Sequence, residues 1–148
     1  MRIPEALFSQ ILQVMPIPCV DILVVNEKGD VLLVLRRNEP AAGQWWFPGG
    51  RVLFGELRCD AAKRKLEEEC GISSTHFQEI GTFDIFCDVG ADKRFHSITT
   101  LYVVKVEAAR EIRLDHQSSD ARWLPLQRWL SHQLHPFVYR RLEEHNKS

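Results

Sequence analysis

The densest chemistry in the chain sits in one short run, Glu67, Glu68 and Glu69, with Arg64 and Lys65 just before it and Gly71 just after. Like charges three or four residues apart on a helix cost about 0.2–0.5 kcal/mol per pair, and carboxylates near a helix C-terminus oppose the macrodipole. Either a cation sits against this cluster or the charges simply face water. Residues 65, 68 and 69 share one face at the helical period, and carboxylates placed there can hold Mg²⁺ or Mn²⁺. Mg²⁺ usually takes one or two carboxylates and leaves positions for substrate phosphates and water. The cluster then forms half of a larger site. Lys65 stands on the same face, where it can pair with Glu69, temper the repulsion and leave room for one tightly held ion. Glu56 and Arg64 fall near a common stripe, and Gly49 and Gly50 are placed for a tight loop beside the acids.

These residues need elements to hold them. The run "CVDILVVN", the charged turn "EKGD" and the run "VLLVLR" read as a β-hairpin over residues 19–36, with Asp21 among hydrophobic neighbours. The following "RNEPAAGQWWFPGG" has turn chemistry that excludes a long helix. From Glu56 to Cys70 good helix formers dominate, and Gly71 stands where a left-handed cap ends a helix. "FQEIGTFDIFCD" and "SITTLYVVKVEA" read as strands flanking the polar loop "VGADKRFH". "ARWLPL" reads as a short strand before helices near 125–131 and 136–145. Residues 1–18 carry apolar positions at helical spacing, which predicts a short amphipathic helix and not a signal peptide. Strands and helices alternate without a regular βαβ rhythm, so an α/β fold with a mixed sheet and helices on its faces is expected.

At 148 residues one domain with one core is the default. The composition is that of an ordinary soluble protein, with no apolar run near the ~18 residues of a membrane span, and a cytoplasmic location is expected. The net charge of −1 argues against a nucleic-acid duplex as partner. Cys19, Cys59, Cys70 and Cys87 form no Cys-x-x-Cys pair, so buried free thiols are expected. Trp45, Trp46 and Phe47 can either wall a nucleotide pocket or fill core, and Trp123 and Trp129 read as core or subunit contact.

With Gly50, Glu56, Arg64, Leu66, Glu68, Glu69, Gly71 and Ile72 in register, and "WFPGG" ahead of them, the segment resembles the signature of the Nudix hydrolases. That resemblance implies a Nudix-type α/β/α sandwich with a mixed β-sheet, a single domain over residues 1–148, and Glu56 and Arg64 tying loop to helix. One fixed position departs: Lys65 stands where the signature has a glutamate that serves many members as metal ligand or base. General-base catalysis is typically worth 10²- to 10⁴-fold, so either the base lies elsewhere or water attacks another atom.

From about Phe8 to Trp123 the chain is also similar to the GDP-mannose mannosyl hydrolases, a Nudix branch with a broken signature. The shared features are the "RRNEP" turn, the aromatic pair before "PGGRV", "TTLYVV" and "ARWL". The resemblance implies hydrolysis of a nucleotide sugar, GDP-mannose or GDP-glucose, at the anomeric carbon, and a homodimer. Carried over, it implies Mg²⁺, with Mn²⁺ an alternative, on the Gly49 carbonyl, Glu69 and Gln117, with Glu68 contributing. It implies Arg36, Arg51 and Tyr102 on the diphosphate and Asp21 on the sugar, where a structural hydrogen bond is the competing role. Phe8 would stack on the base or serve as core. The branch has a histidine directly after the metal-binding glutamine; here Ser118 follows Gln117 and His116 precedes it. His116 is therefore the candidate base, with His96 and His135 weaker ones. Two other readings remain open: attack on phosphorus with Glu68 as base, and a catalytically silent nucleotide-sugar sensor or partner-binding domain.

Overall fold

The computed structural model describes residues 2–88, 93–107 and 112–148. In chain order its elements are α1 (Glu5–Val14), β1 (Ile17–Val25), β2 (Asp30–Arg36), β3 (Trp45–Trp46), β4 (Gly49–Arg51), α2 (Arg58–Cys70), β5 (Phe77–Asp88), β6 (Arg94–Lys105), β7 (Ser118–Pro125), the one-turn α3 (Leu126–Trp129) and α4 (Pro136–Lys147). No helix among the described residues is long and apolar enough to cross a membrane. The four cysteines are free thiols.

The strands form one mixed sheet whose centre is β1. Along its whole length β1 runs parallel to β6, and β5 pairs antiparallel on the far side of β6. The opposite edge of β1 is shared. Its first half pairs with β4, Asp21 against Gly49, and only its end pairs with β2, Val24 against Leu32. Strand β2 meanwhile turns to β3 on one side and β7 on the other. The sheet therefore forks, and the fork leaves an opening between Asp21 on β1 and Arg36 at the end of β2.

Strand β1 is buried on both faces because a core lies on each side. Leu23, Val25, Leu33, Phe47, Trp129 and Leu142 pack on the face covered by α3 and α4. Ile22, Val24, Leu32, Ala62, Leu66 and Tyr102 pack on the face covered by α2. This two-layered burial is the reason the β1 run is continuously apolar instead of alternating. The Trp129 indole N–H, fully buried, donates to the Val31 carbonyl at 2.8 Å and ties α3 to the hairpin.

The expected hairpin, the long β5 and the paired C-terminal helices all appear. Helix α2 begins at Arg58, two residues later than the pattern predicts. Gly55 takes a positive φ of 81° and Glu56 folds back, its amide donating to the Leu53 carbonyl, so Glu56 belongs to a turn. Gly71, at φ 70°, caps α2 as expected, its amide donating to the Glu67 carbonyl at 2.9 Å. Arg94, Phe95 and His96, read as loop, instead extend the β5–β6 ladder; residues 89–92 of that loop lie outside the described residues. Strands β3 and β4 are additional, and β7 starts at Ser118, earlier than expected.

Truncating Leu142, fully buried on α4, to alanine is expected to destabilise the fold by about 2–5 kcal/mol. Leu57→Ala, at a position 72% exposed, should stay within about 0.5 kcal/mol of the parent. Urea denaturation of both variants checks the contrast.

Candidate active site

A cavity of about 420 Å³ occupies the fork. Its walls include Phe8, Asp21, Arg36, Gly49, Gly50, Arg51, Arg64, Lys65, Glu68 and Gln117. Four basic side chains therefore meet there although the whole chain carries a net charge of −1.

Arg64 fastens the loop 51–57 to helix α2. Its Nε donates to Glu56 at 2.8 Å, one terminal nitrogen donates to the Arg51 carbonyl at 3.1 Å, and the other reaches Glu68 at 3.2 Å. Glu56 in turn accepts from the Leu53 amide at 3.0 Å. The guanidinium beside it holds the Glu56 carboxyl below the usual glutamate range. These contacts give Glu56 and Arg64 the loop-to-helix role expected of them.

Glu69 lies behind the cavity wall, 2% exposed, and accepts a 2.9 Å hydrogen bond from the Gly49 amide. Burial pushes its carboxyl upward, against the opposing pull of Lys65 and the Gly49 amide. The Lys65 ammonium stands 3.5 Å from Glu69 and 3.6 Å from Glu68, so the pairing of Lys65 with Glu69 is present. Gly49 has to be glycine, since a Cβ there would collide with the Val20 carbonyl.

Asp21 forms part of the cavity floor, 5% exposed. One carboxylate oxygen accepts from the Trp46 indole at 3.1 Å and the other from the Thr99 hydroxyl at 2.6 Å. Burial pushes its carboxyl up to about 7, and the two hydrogen bonds offset part of that rise. Thr99 carried no signal in the sequence; only the parallel register of β6 against β1 brings it beside Asp21. Trp46 is 7% exposed and in the core, as one of its two expected uses requires; it also lines the cavity, and its N–H fixes the Asp21 carboxylate.

Arg36 is held by donation from its Nε to the Pro40 carbonyl at 2.7 Å. Arg51 lies over the Phe8 ring, 4.2 Å from its centroid. Phe8 thus meets a guanidinium, where a stacked base or core packing was expected. Gln117 reaches the cavity because its carbonyl accepts from the Arg37 amide at 3.0 Å, zipping the segment before β7 to the end of β2.

The remaining expected residues lie elsewhere. Tyr102 is in register with Ile22, so it points to the α2 face, where its hydroxyl donates to Glu79 at 3.4 Å. It does not line the cavity, and the expected contact with a diphosphate is corrected accordingly. His116 is exposed and outside the cavity lining, whereas Gln117, its neighbour in the turn before β7, lines it. His96 is paired with Asp84 at 3.0 Å on the sheet surface, and the His135 Nδ1 accepts from the Phe137 amide at the start of α4.

The residues proposed for the metal are hard oxygen donors with two carboxylates among them, the number Mg²⁺ commonly takes. Gly49, Glu68 and Gln117 line the cavity and Glu69 adjoins Gly49. Among the described residues no group of three or more acidic, histidine or cysteine side chains gathers as a metal cluster. The set fits one ion.

A family model described as "NUDIX domain" matches residues 15–144. The chain is 34% identical over 146 residues to the low-salt glycan biosynthesis protein Agl8 of Haloferax volcanii, covering 96% of this chain and 90% of that protein. The structure matches the MutT protein from Methanosarcina mazei Go1 with a TM-score of 0.74 at 24% identity, over 90% of this chain and 97% of that one. It matches the NUDIX domain of Shewanella oneidensis NrtR, complexed with ADP ribose, with a TM-score of 0.72 at 23% identity, over 97% and 99%. The last two likenesses establish the fold.

A carboxyl whose pKa is higher folded than unfolded favours the folded state while protonated. For Asp21 that contribution is present below about 4, the unfolded value, and is lost as pH rises through about 7. Asp21→Asn keeps an acceptor for Trp46 and a donor toward Thr99. In metal-free buffer the stability of Asp21→Asn relative to the parent is therefore expected to be higher at pH 8 than at pH 5, read from urea midpoints; equal differences at the two pH values would refute the assignment.

Proposed function

The chain belongs to the Nudix family, and from that premise we propose that it hydrolyses a nucleoside diphosphate sugar, GDP-mannose or GDP-glucose first, releasing GDP and free hexose by attack of water at the anomeric carbon. The observation that carries this reading is the cavity itself, a space of small-molecule size whose lining combines Arg36, Arg51 and Lys65 with a buried carboxylate, Asp21. A diphosphate suits the cationic wall, since charge-assisted hydrogen bonds to phosphate oxygens are among the stronger protein contacts. A sugar suits Asp21, whose oxygens are already oriented by Trp46 and Thr99 and keep lone pairs for hydroxyl donors. The similarity to a protein named for glycan biosynthesis is consonant with a sugar-containing substrate.

A Mg²⁺ or Mn²⁺ ion held by Glu69, Gln117 and the Gly49 carbonyl would neutralise the leaving diphosphate. Arg36 and Arg51 bind the same group and stabilise the charge that grows on it as the glycosyl bond breaks. Asp21 orients the hexose. Glu68, half-exposed and in the cavity wall, is the carboxylate open to water and takes its proton. That open position also favours a second reading, in which water activated by Glu68 attacks phosphorus and the products are sugar phosphate and GMP.

Hydrolysis in ¹⁸O-water separates the two: label in the hexose is expected, and label in a phosphate overturns carbon attack. Glu69→Gln retains an acceptor for the Gly49 amide, so the fold should persist while turnover falls by at least ~10²-fold. Near-normal activity in that variant would remove the metal assignment. His116→Gln, outside the cavity, should change kcat by less than about 2-fold, whereas a loss on the scale of general-base catalysis, 10²-fold or more, would restore it as the base.

A further inference from the structure

We propose that the Lys65 ammonium is a built-in cation of the site: it binds a phosphate oxygen of the substrate directly and takes the place a second divalent ion would otherwise fill. This inference rests on the diphosphate reading above and adds to it a ligand and an ion count.

Lys65 is 5% exposed, yet it lines the cavity. Its stem passes directly against Gly50, where a Cβ would sit 2.5 Å from Lys65 Cε, so the glycine is what lets the side chain reach forward. The ammonium stands 3.5 and 3.6 Å from its two carboxylates, beyond the ~2.7–3.2 Å of an N–H···O bond. It has three donors and no hydrogen bond of ordinary length to Glu68 or Glu69, which leaves them free for an oxygen arriving in the cavity. A buried ammonium is costly unless it is well paired, and an apolar residue would fill the same volume on α2 without that cost. The charges on this face also count toward one ion. Arg64 is occupied by Glu56 and the Arg51 carbonyl as well as Glu68. Lys65, Glu68 and Glu69 together sum to −1, where a glutamate at position 65 would make −3. The first total calls for one divalent cation, the second for more.

The test titrates the full-length protein with Mn²⁺, free ion being read by electron paramagnetic resonance, with and without inorganic pyrophosphate, and measures pyrophosphate affinity by calorimetry at saturating Mn²⁺. The parent is expected to hold one Mn²⁺ per chain and Lys65→Glu two. Lys65→Met, which preserves the stem, should keep one Mn²⁺ and lose about 10- to 100-fold in pyrophosphate affinity, the range of a lost charge-assisted hydrogen bond. Two ions on the parent, or unchanged pyrophosphate affinity in Lys65→Met, overturns the proposal. A parent that binds pyrophosphate but no Mn²⁺ under any condition instead defeats the metal-dependent reading on which it stands, so the two failures are separable. If Lys65→Glu fails to fold, the Lys65→Met affinity decides alone.

Discussion

Glu69 sits with its carboxylate out of water at the seam between α2 and β4, and the architecture around the cavity follows from what that burial requires. A desolvated carboxylate is tolerated only where donors and opposite charge surround it. The Gly49 amide and the Lys65 ammonium supply both. To donate, Gly49 must lie close under α2, which is possible because it lacks a Cβ and can lie against the Val20 carbonyl. That closeness draws β4 onto the first half of β1 and leaves β2 to pair only with its end. The fork in the sheet, and the cavity inside it, are consequences of this seam. Arg64 then locks the outer side of the same loop, so the segment from Gly49 to Arg58 is held at both edges.

Much of the scaffold was legible in the sequence because its signals are local. The β1–β2 hairpin is marked by β-branched runs around "EKGD", α2 by the absence of proline and internal glycine up to Gly71, and the tie between Glu56 and Arg64 by the Nudix-like spacing. What escaped depends on non-local pairing. Strands β3 and β4 are two and three residues long, too short to show a period of two, and exist only because neighbouring strands offer them edges. Thr99 lies 78 residues from Asp21 and reaches it only through parallel register. The same register turns Tyr102 to the opposite face, since adjacent residues in parallel strands share a side and Ile22 belongs to the α2 core. His116 and Gln117 sit in the turn before β7, where no strand or helix period tells which of the two faces inward; the bond from the Arg37 amide to the Gln117 carbonyl, 80 residues apart in sequence, ties the glutamine to the end of β2.

Charge is distributed in the chain so that the cavity and the whole molecule differ in sign. The net charge of −1 gives no long-range attraction for polyanions, yet Arg36, Arg51, Arg64 and Lys65 meet within one cavity. Each is also held by a specific partner: the Pro40 carbonyl for Arg36, the Phe8 ring for Arg51, Glu56 for Arg64, and the Glu68–Glu69 pair for Lys65. Cations fixed in this way lose little further freedom when an anion arrives, so more of their attraction remains as binding energy. In a partly desolvated pocket that attraction is also less screened by salt than it would be on an open surface. An extended polyanion meets the overall surface, whereas an anion small enough to enter the cavity meets Arg36, Arg51, Arg64 and Lys65 alongside Asp21 and Glu68.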